Sequence, residues 1–145
     1  MTSWRTLAIL VMATALACSS GCGAPFGQSA SDICSGKPLS ATNDPSENAR
    51  IIQRAMLSKP QPSCVTDVIA SQDGATLLAL RDELKRGDSV YLRLDYIQAL
   101  AVRVQRGRQL PRQLTYAELE AFCMDPLGEE GRCVSYLQVI KSTIR

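Results

Sequence analysis

The sequence predicts an all-α protein: a small bundle of five or six helices pinned by disulfides and preceded by a flexible tether. Three observations carry this. Apolar residues recur at spacings of three and four in several separate stretches, the stretches are bounded by capping and stop signals, and no stretch alternates apolar and polar residues long enough to argue for a strand. The expected organisation is a signal over 1–21, a tether over 22–43 and a helical domain over 44–145.

In chain order, Pro45 in a first turn, with Asn43 or Asp44 as cap and Glu47 near the positive end of the dipole, opens a helix to Ser58. Its apolar side is Ile51, Ile52, Ala55 and Met56, and Lys59-Pro60-Gln61-Pro62 stops it. Ser63 caps a short helix to Gln72 in which Cys64 and Val68, four apart, are expected to face the core. After a break at Asp73-Gly74, Ala75 to Arg86 carries Leu77, Leu80 and Leu84 along one side, and Gly87 is expected to end it in the left-handed conformation. Asp88 or Ser89 caps the longest helix, from Val90 to about Arg106, whose stripe of Val90, Leu94, Ile97, Ala101 and Val104 is broadened by Leu92, Tyr96 and Ala99. It is the expected centre of the bundle. The helix pair around Gly87-Asp88 resembles a single HEAT-type hairpin, although two antiparallel neighbours in a bundle would read the same way. A polar connection from Gly107 to Gln113 follows. Thr115 and Glu118 form a capping-box pattern for a helix to Met124 that buries Tyr116, Leu119, Phe122 and Cys123. After the loop Asp125–Gly131, a last helix from Arg132 to about Thr143 aligns Cys133, Leu137, Ile140 and Ile144.

Met1 to Cys22 has the layout of a secretory signal: one cation (Arg5), no acid, an apolar run from Leu7 to Ala17 and a patch of small residues. About eleven apolar residues are too few to cross a bilayer core as a helix. The patch before cysteine resembles the lipobox of bacterial lipoproteins, which implies cleavage and acylation of the cysteine that becomes the N-terminus. Cys18, after Ala15-Leu16-Ala17, and Cys22, after Ser19-Ser20-Gly21, are the two candidates; cleavage before Cys22 leaves an even set of cysteines, which favours it. Ordinary cleavage after Ala17 would give a soluble periplasmic protein. The absence of aspartate after either cysteine makes the outer membrane the expected destination for an acylated chain. The tether would then reach roughly 25 Å.

Four cysteines remain, Cys34, Cys64, Cys123 and Cys133. Cys123 and Cys133 flank a short loop on apolar helix sides, which suits a bridge and would leave Cys34 to join the tether to Cys64; the spacings alone leave all three pairings open. The spacings of 30, 59 and 10 contain no C-x-x-C, so neither a zinc site nor a redox pair is expected. No cofactor is expected either.

The formal charge of +2 excludes a general basic field for nucleic acid, and the sequence has no histidine, the usual general base near neutral pH and the commonest transition-metal ligand. No G-x-S-x-G is present, and no Cys-His pair is possible. Asp82, Glu83, Glu118, Glu120, Asp125, Glu129 and Glu130 are the candidates for a pair of glycosidase-type carboxylates, but most of the aromatic side chains that would wall a sugar cleft fall on or beside core faces. Catalytic residues are therefore not expected. Arg103, Arg106, Arg108 and Arg112 place four cations in ten residues and read either as a solvated helix end or as a contact for an anionic partner. Arg93 falls within the apolar arc of the long helix and is expected to pair with Asp67, Asp82 or Asp95.

In size, lipid anchor, helical content and cysteine bridging the chain is similar to the pilotins that guide secretin subunits. That similarity implies a non-catalytic envelope protein that binds a protein partner, with Leu78 or Tyr91 as apolar anchors. A secreted inhibitor or immunity-type protein presenting Asp125–Arg132, and an enzyme acting on peptidoglycan, are the other two readings.

Overall fold

The computed structural model describes residues 32–123 and 130–144. The expected signal, Cys18 and Cys22, residues 22–31 of the expected tether and residues 124–129 of the expected loop lie outside them. Among the described residues the chain is all-helical: a 3₁₀ turn at Asp32–Ser35, then α1 (Pro45–Leu57), α2 (Val65–Ser71), α3 (Gly74–Arg86), α4 (Val90–Gln105), α5 (Tyr116–Cys123) and α6 (Glu130–Thr143).

Local chemistry sets the boundaries. The Asp44 carboxylate accepts from the Glu47 N–H at 2.8 Å and Pro45 occupies the first helical position. Asp73 does the same for α3, accepting from the Thr76 N–H at 2.7 Å, so the dipeptide expected only to break the chain also caps the next helix. Thr115 accepts from the Glu118 N–H at 3.2 Å, but the Glu118 carboxylate turns to Lys85 and Arg81 rather than completing a capping box. The expected left-handed stop at Gly87 is corrected: its φ of −94° is extended, because the chain must run straight on to Ser89 to begin α4. The left-handed glycine that ends a helix is Gly107, with φ of 75°. Its N–H reaches the Val104 carbonyl at 2.9 Å and the Arg108 N–H reaches that of Arg103 at 3.1 Å, the paired bonds of a Schellman motif at the end of α4.

The long helix is the centre, packed against α2 on one flank and α6 on the other, while α1 and α3 form a second pair and α5 lies on α6. The α3–α4 unit is thus not a side-by-side hairpin, and the HEAT-type resemblance does not extend to packing. Leu77, Leu80, Leu84, Ile97, Leu100 and Ile140 are all buried. Tyr96, fully buried, donates its hydroxyl to the Leu77 carbonyl at 2.9 Å and meets the Phe122 ring edge-on at 5.8 Å, tying α3 and α5 to the centre. Burial pushes its hydroxyl pKa well above the tyrosine range. In α2 the buried residues are Val65, Ile69 and Ala70, while the expected Cys64 and Val68 are half-buried and pack against the core.

The two bridges are Cys34–Cys64 and Cys123–Cys133, with Cα separations of 5.7 and 5.6 Å. In a chain-entropy description their loops contribute about 4 and about 3 kcal/mol. Within the expected tether, Ile33, Leu39 and Ser40 are buried against the body. Ser40 Oγ donates to Asn48 Oδ1 at 2.7 Å, and Asn48 Nδ2 donates to Asn43 Oδ1 at 3.1 Å, so a buried amide secures the arm. Ile144, expected on the core side, is 53% exposed because α6 ends one residue before it.

A side chain added at Gly107 meets nothing within 4 Å, so only the positive φ opposes it, whereas Gly131 in α6 is open and has no such constraint. Gly107→Ala is expected to lower stability by about 1 to 2 kcal/mol and Gly131→Ala to raise it by roughly 0.5 to 1 kcal/mol. Urea unfolding midpoints of the two variants check the opposite signs.

Candidate functional site

The arginine cluster at the end of α4 does not form one surface patch. Arg103 is buried, 7% exposed, and its guanidinium donates to three backbone carbonyls: Ala70 at 2.9 Å, Gln72 at 2.6 Å and Gln109 at 2.8 Å. The reading of Arg103 as a solvated cation or an anion contact is therefore corrected. The end of α2 leaves carbonyls without intrahelical donors, and Arg103 supplies donors and a complementary charge there. Burial holds its pKa below the ordinary guanidinium value, with Arg108 acting in the same direction. Arg108 adds a longer bond to the Ala70 carbonyl at 3.3 Å, and Arg106 pairs with Asp67 of α2. Arg112 is exposed.

The segment 107–115 that follows is fixed at several points. Gly107 turns it, Arg103 holds the Gln109 carbonyl, and Leu114 is 4% exposed. Pro111 lies so close to Gly74 that a Cβ there would sit 3.3 Å from its ring, which explains a glycine at the start of α3. Arg81, itself paired with Asp82 at 2.9 Å, reaches the Gln113 carbonyl and the Glu118 carboxylate, each at 3.5 Å.

This segment, the start of α5 and the end of α6 enclose a groove of about 640 Å³. Its floor and walls are Val104, Leu110, Pro111, Leu114, Tyr116 and Ile144; its rim carries Arg108, Arg112 and Lys141, and among the described residues no carboxylate lines it. Lys141 sits 5.2 Å above the Tyr116 ring, a cation–π contact that leaves its ammonium at the mouth. Of the four arginines singled out in the sequence, the structure places Arg108 and Arg112 at the groove and sends Arg103 inward and Arg106 to α2. Lys141 and Ile144 were not legible as site residues, because only the packing of α6 on α4 brings them to the loop.

Arg93 is also corrected. It meets no carboxylate among the described residues; its Nη2 donates to the Gly87 carbonyl at 3.3 Å and its guanidinium lies 5.1 Å from the Phe122 centroid, near the start of α4 whereas the groove loop follows its end. Of its three expected acids, Asp67 and Asp82 pair with Arg106 and Arg81, and Asp95 accepts from Gln61 at 3.1 Å. Tyr91 is 59% exposed, whereas Leu78 packs against the core. No group of His, Cys, Asp or Glu among the described residues could hold a metal ion, and no helix there is long and apolar enough to cross a membrane. No family model matches the chain, and neither a curated protein nor a solved structure matches it.

Glu118 braces the groove from outside. The Lys85 ammonium at 3.3 Å is the main cause that holds its carboxyl below the ordinary glutamate value, with the Thr115 contact and Arg81 helping and partial desolvation opposing. A depressed carboxyl contributes stability above its ordinary pKa and loses it as the pH falls through the folded value. The urea midpoint of the wild-type protein is thus expected to fall between about pH 5 and pH 3 more steeply than that of Glu118→Gln. Parallel curves would contradict this account of the brace.

Proposed function

We propose that this chain is exported, held at the bacterial envelope by a lipid on Cys22, with Cys18 as the other candidate, and that its body acts without catalysis as a docking module for an envelope protein, as pilotins do. The supporting observation is the pair of disulfides, Cys34–Cys64 and Cys123–Cys133: bridges that persist are a feature of oxidising compartments, and the signal layout of residues 1–22 leads to one. The bridge partners are the four cysteines left when cleavage falls before Cys22, so the sulfur count and the lipobox resemblance agree. The outer membrane, with the body facing the periplasm, is the destination this reading favours.

The histidine-free composition points away from acid–base chemistry at neutral pH. The groove supports docking, because its apolar floor and cationic rim are preformed by the bonds that hold 107–115 in place. An inhibitor or immunity-type role is favoured by one observation, the Cys123–Cys133 bridge that closes residues 124–132 into a ring. The two roles part on reduction of that bridge, which would abolish inhibition while leaving groove docking intact.

Intact-mass analysis of the protein from its native envelope is expected to show loss of residues 1–21, added acyl mass on the new N-terminal cysteine, and a gain of about 4 Da on reduction, two hydrogens per bridge. A full-length, unacylated polypeptide with six free thiols would overturn the proposal.

A further inference from the structure

We infer that the groove receives an acidic amphipathic peptide segment of a partner protein, its carboxylates held by Arg112, Lys141 and Arg108 and its apolar side chains seated on Leu110, Tyr116 and Ile144. This rests on the docking role proposed above and specifies the chemistry of the occupant.

Charge complementarity comes first. Among the described residues, three cations and no carboxylate line the groove. Arg112 is exposed and has no ion-pair partner among the described residues, Arg108 uses one nitrogen on the Ala70 carbonyl, and Lys141 faces a ring rather than an acid. Two guanidinium forks and an ammonium at one mouth match carboxylates in geometry as well as sign.

The apolar content comes second. Ile144, 53% exposed, stands at the mouth above the half-buried Leu110 and Tyr116, so a purely ionic ligand would leave this surface wet. A volume of about 640 Å³ lies in the range of sites that take several side chains, enough for the i, i+3 and i+4 anchors of one helical face.

Cations and apolar residues alternate along one wall of the groove, Arg108, Leu110, Arg112 and Leu114. A peptide brings carboxylates and apolar side chains spread along one face to match, whereas an anionic lipid gathers its charge in a single headgroup.

The test uses the purified full chain and fluorescence anisotropy with a fluorescein-labelled amphipathic peptide of Leu and Glu, its Glu→Gln counterpart, and phosphatidylglycerol vesicles. The Glu peptide is expected to bind at least about tenfold more tightly than the Gln peptide, to weaken with salt, and to lose about tenfold in the double variant Arg112→Glu, Lys141→Glu and in Ile144→Asp. Leu57→Asp, on another exposed surface, is expected to bind as wild type. Circular dichroism verifies that each variant is folded. Equal binding of the two peptides, or no binding, would overturn the inference, as would vesicle binding or self-association that the charge reversals abolish in place of peptide binding. Co-purification from the envelope separates the two levels: a partner retained equally by wild type and the charge-reversed variant sinks the groove assignment alone, whereas retention of no partner sinks the docking role.

Discussion

The buried guanidinium of Arg103 is the junction on which this architecture depends. It leaves the central helix, passes between α2 and the 107–115 segment, and gives its donors to carbonyls of Ala70, Gln72 and Gln109. Taking a guanidinium out of water costs several kcal/mol unless its protons are met. Here they are met by backbone oxygens at the negative end of a short helix rather than by a carboxylate. The arrangement is mutual: the helix end lacks donors, and the arginine lacks an acid. One residue therefore fixes the angle of α2 on α4 and the path of the loop that builds the groove.

Other contacts add to this frame from its edges. Gly107 turns the chain out of α4, Gly74 leaves room for Pro111, and Arg81 with Glu118 braces the loop from α3. The disulfides act further away, one clasping the arm 32–43 to α2 and the other joining the ends of α5 and α6. The groove is shaped by hydrogen bonds and packing, and no bridge cysteine lines it. A surface held this way loses little conformational entropy when something docks on it.

Helix number, order and most apolar faces were legible because period and caps are local properties, as Asp44, Pro45, Thr115 and the leucines of α3 illustrate. Where the reading slipped, a non-local partner decided. Gly87 and Gly107 look equally suited to a left-handed stop, and what separates them is the distance each must span to the next element. Cys64 and Val68 satisfy the same helical spacing as Val65 and Ile69, and only the packing shows that the latter pair is fully buried while the former sits half-buried at the edge of the core. The arginine run was visible as charge, but nothing in it distinguishes Arg103, which turns inward, from Arg112, which faces the groove. Lys141 and Ile144 carried no local signal, since their role exists only where α6 meets the loop.

The most direct measurement is residue-resolved amide hydrogen exchange on Arg103→Met, which keeps much of the side-chain volume and removes the donors. The account predicts that protection falls at the end of α2 and across 107–115, with the α1–α3 pair nearly unchanged, because carbonyls at both places lose their partners together. A variant as protected as wild type in those segments would contradict it, and would mean that packing alone shapes the groove.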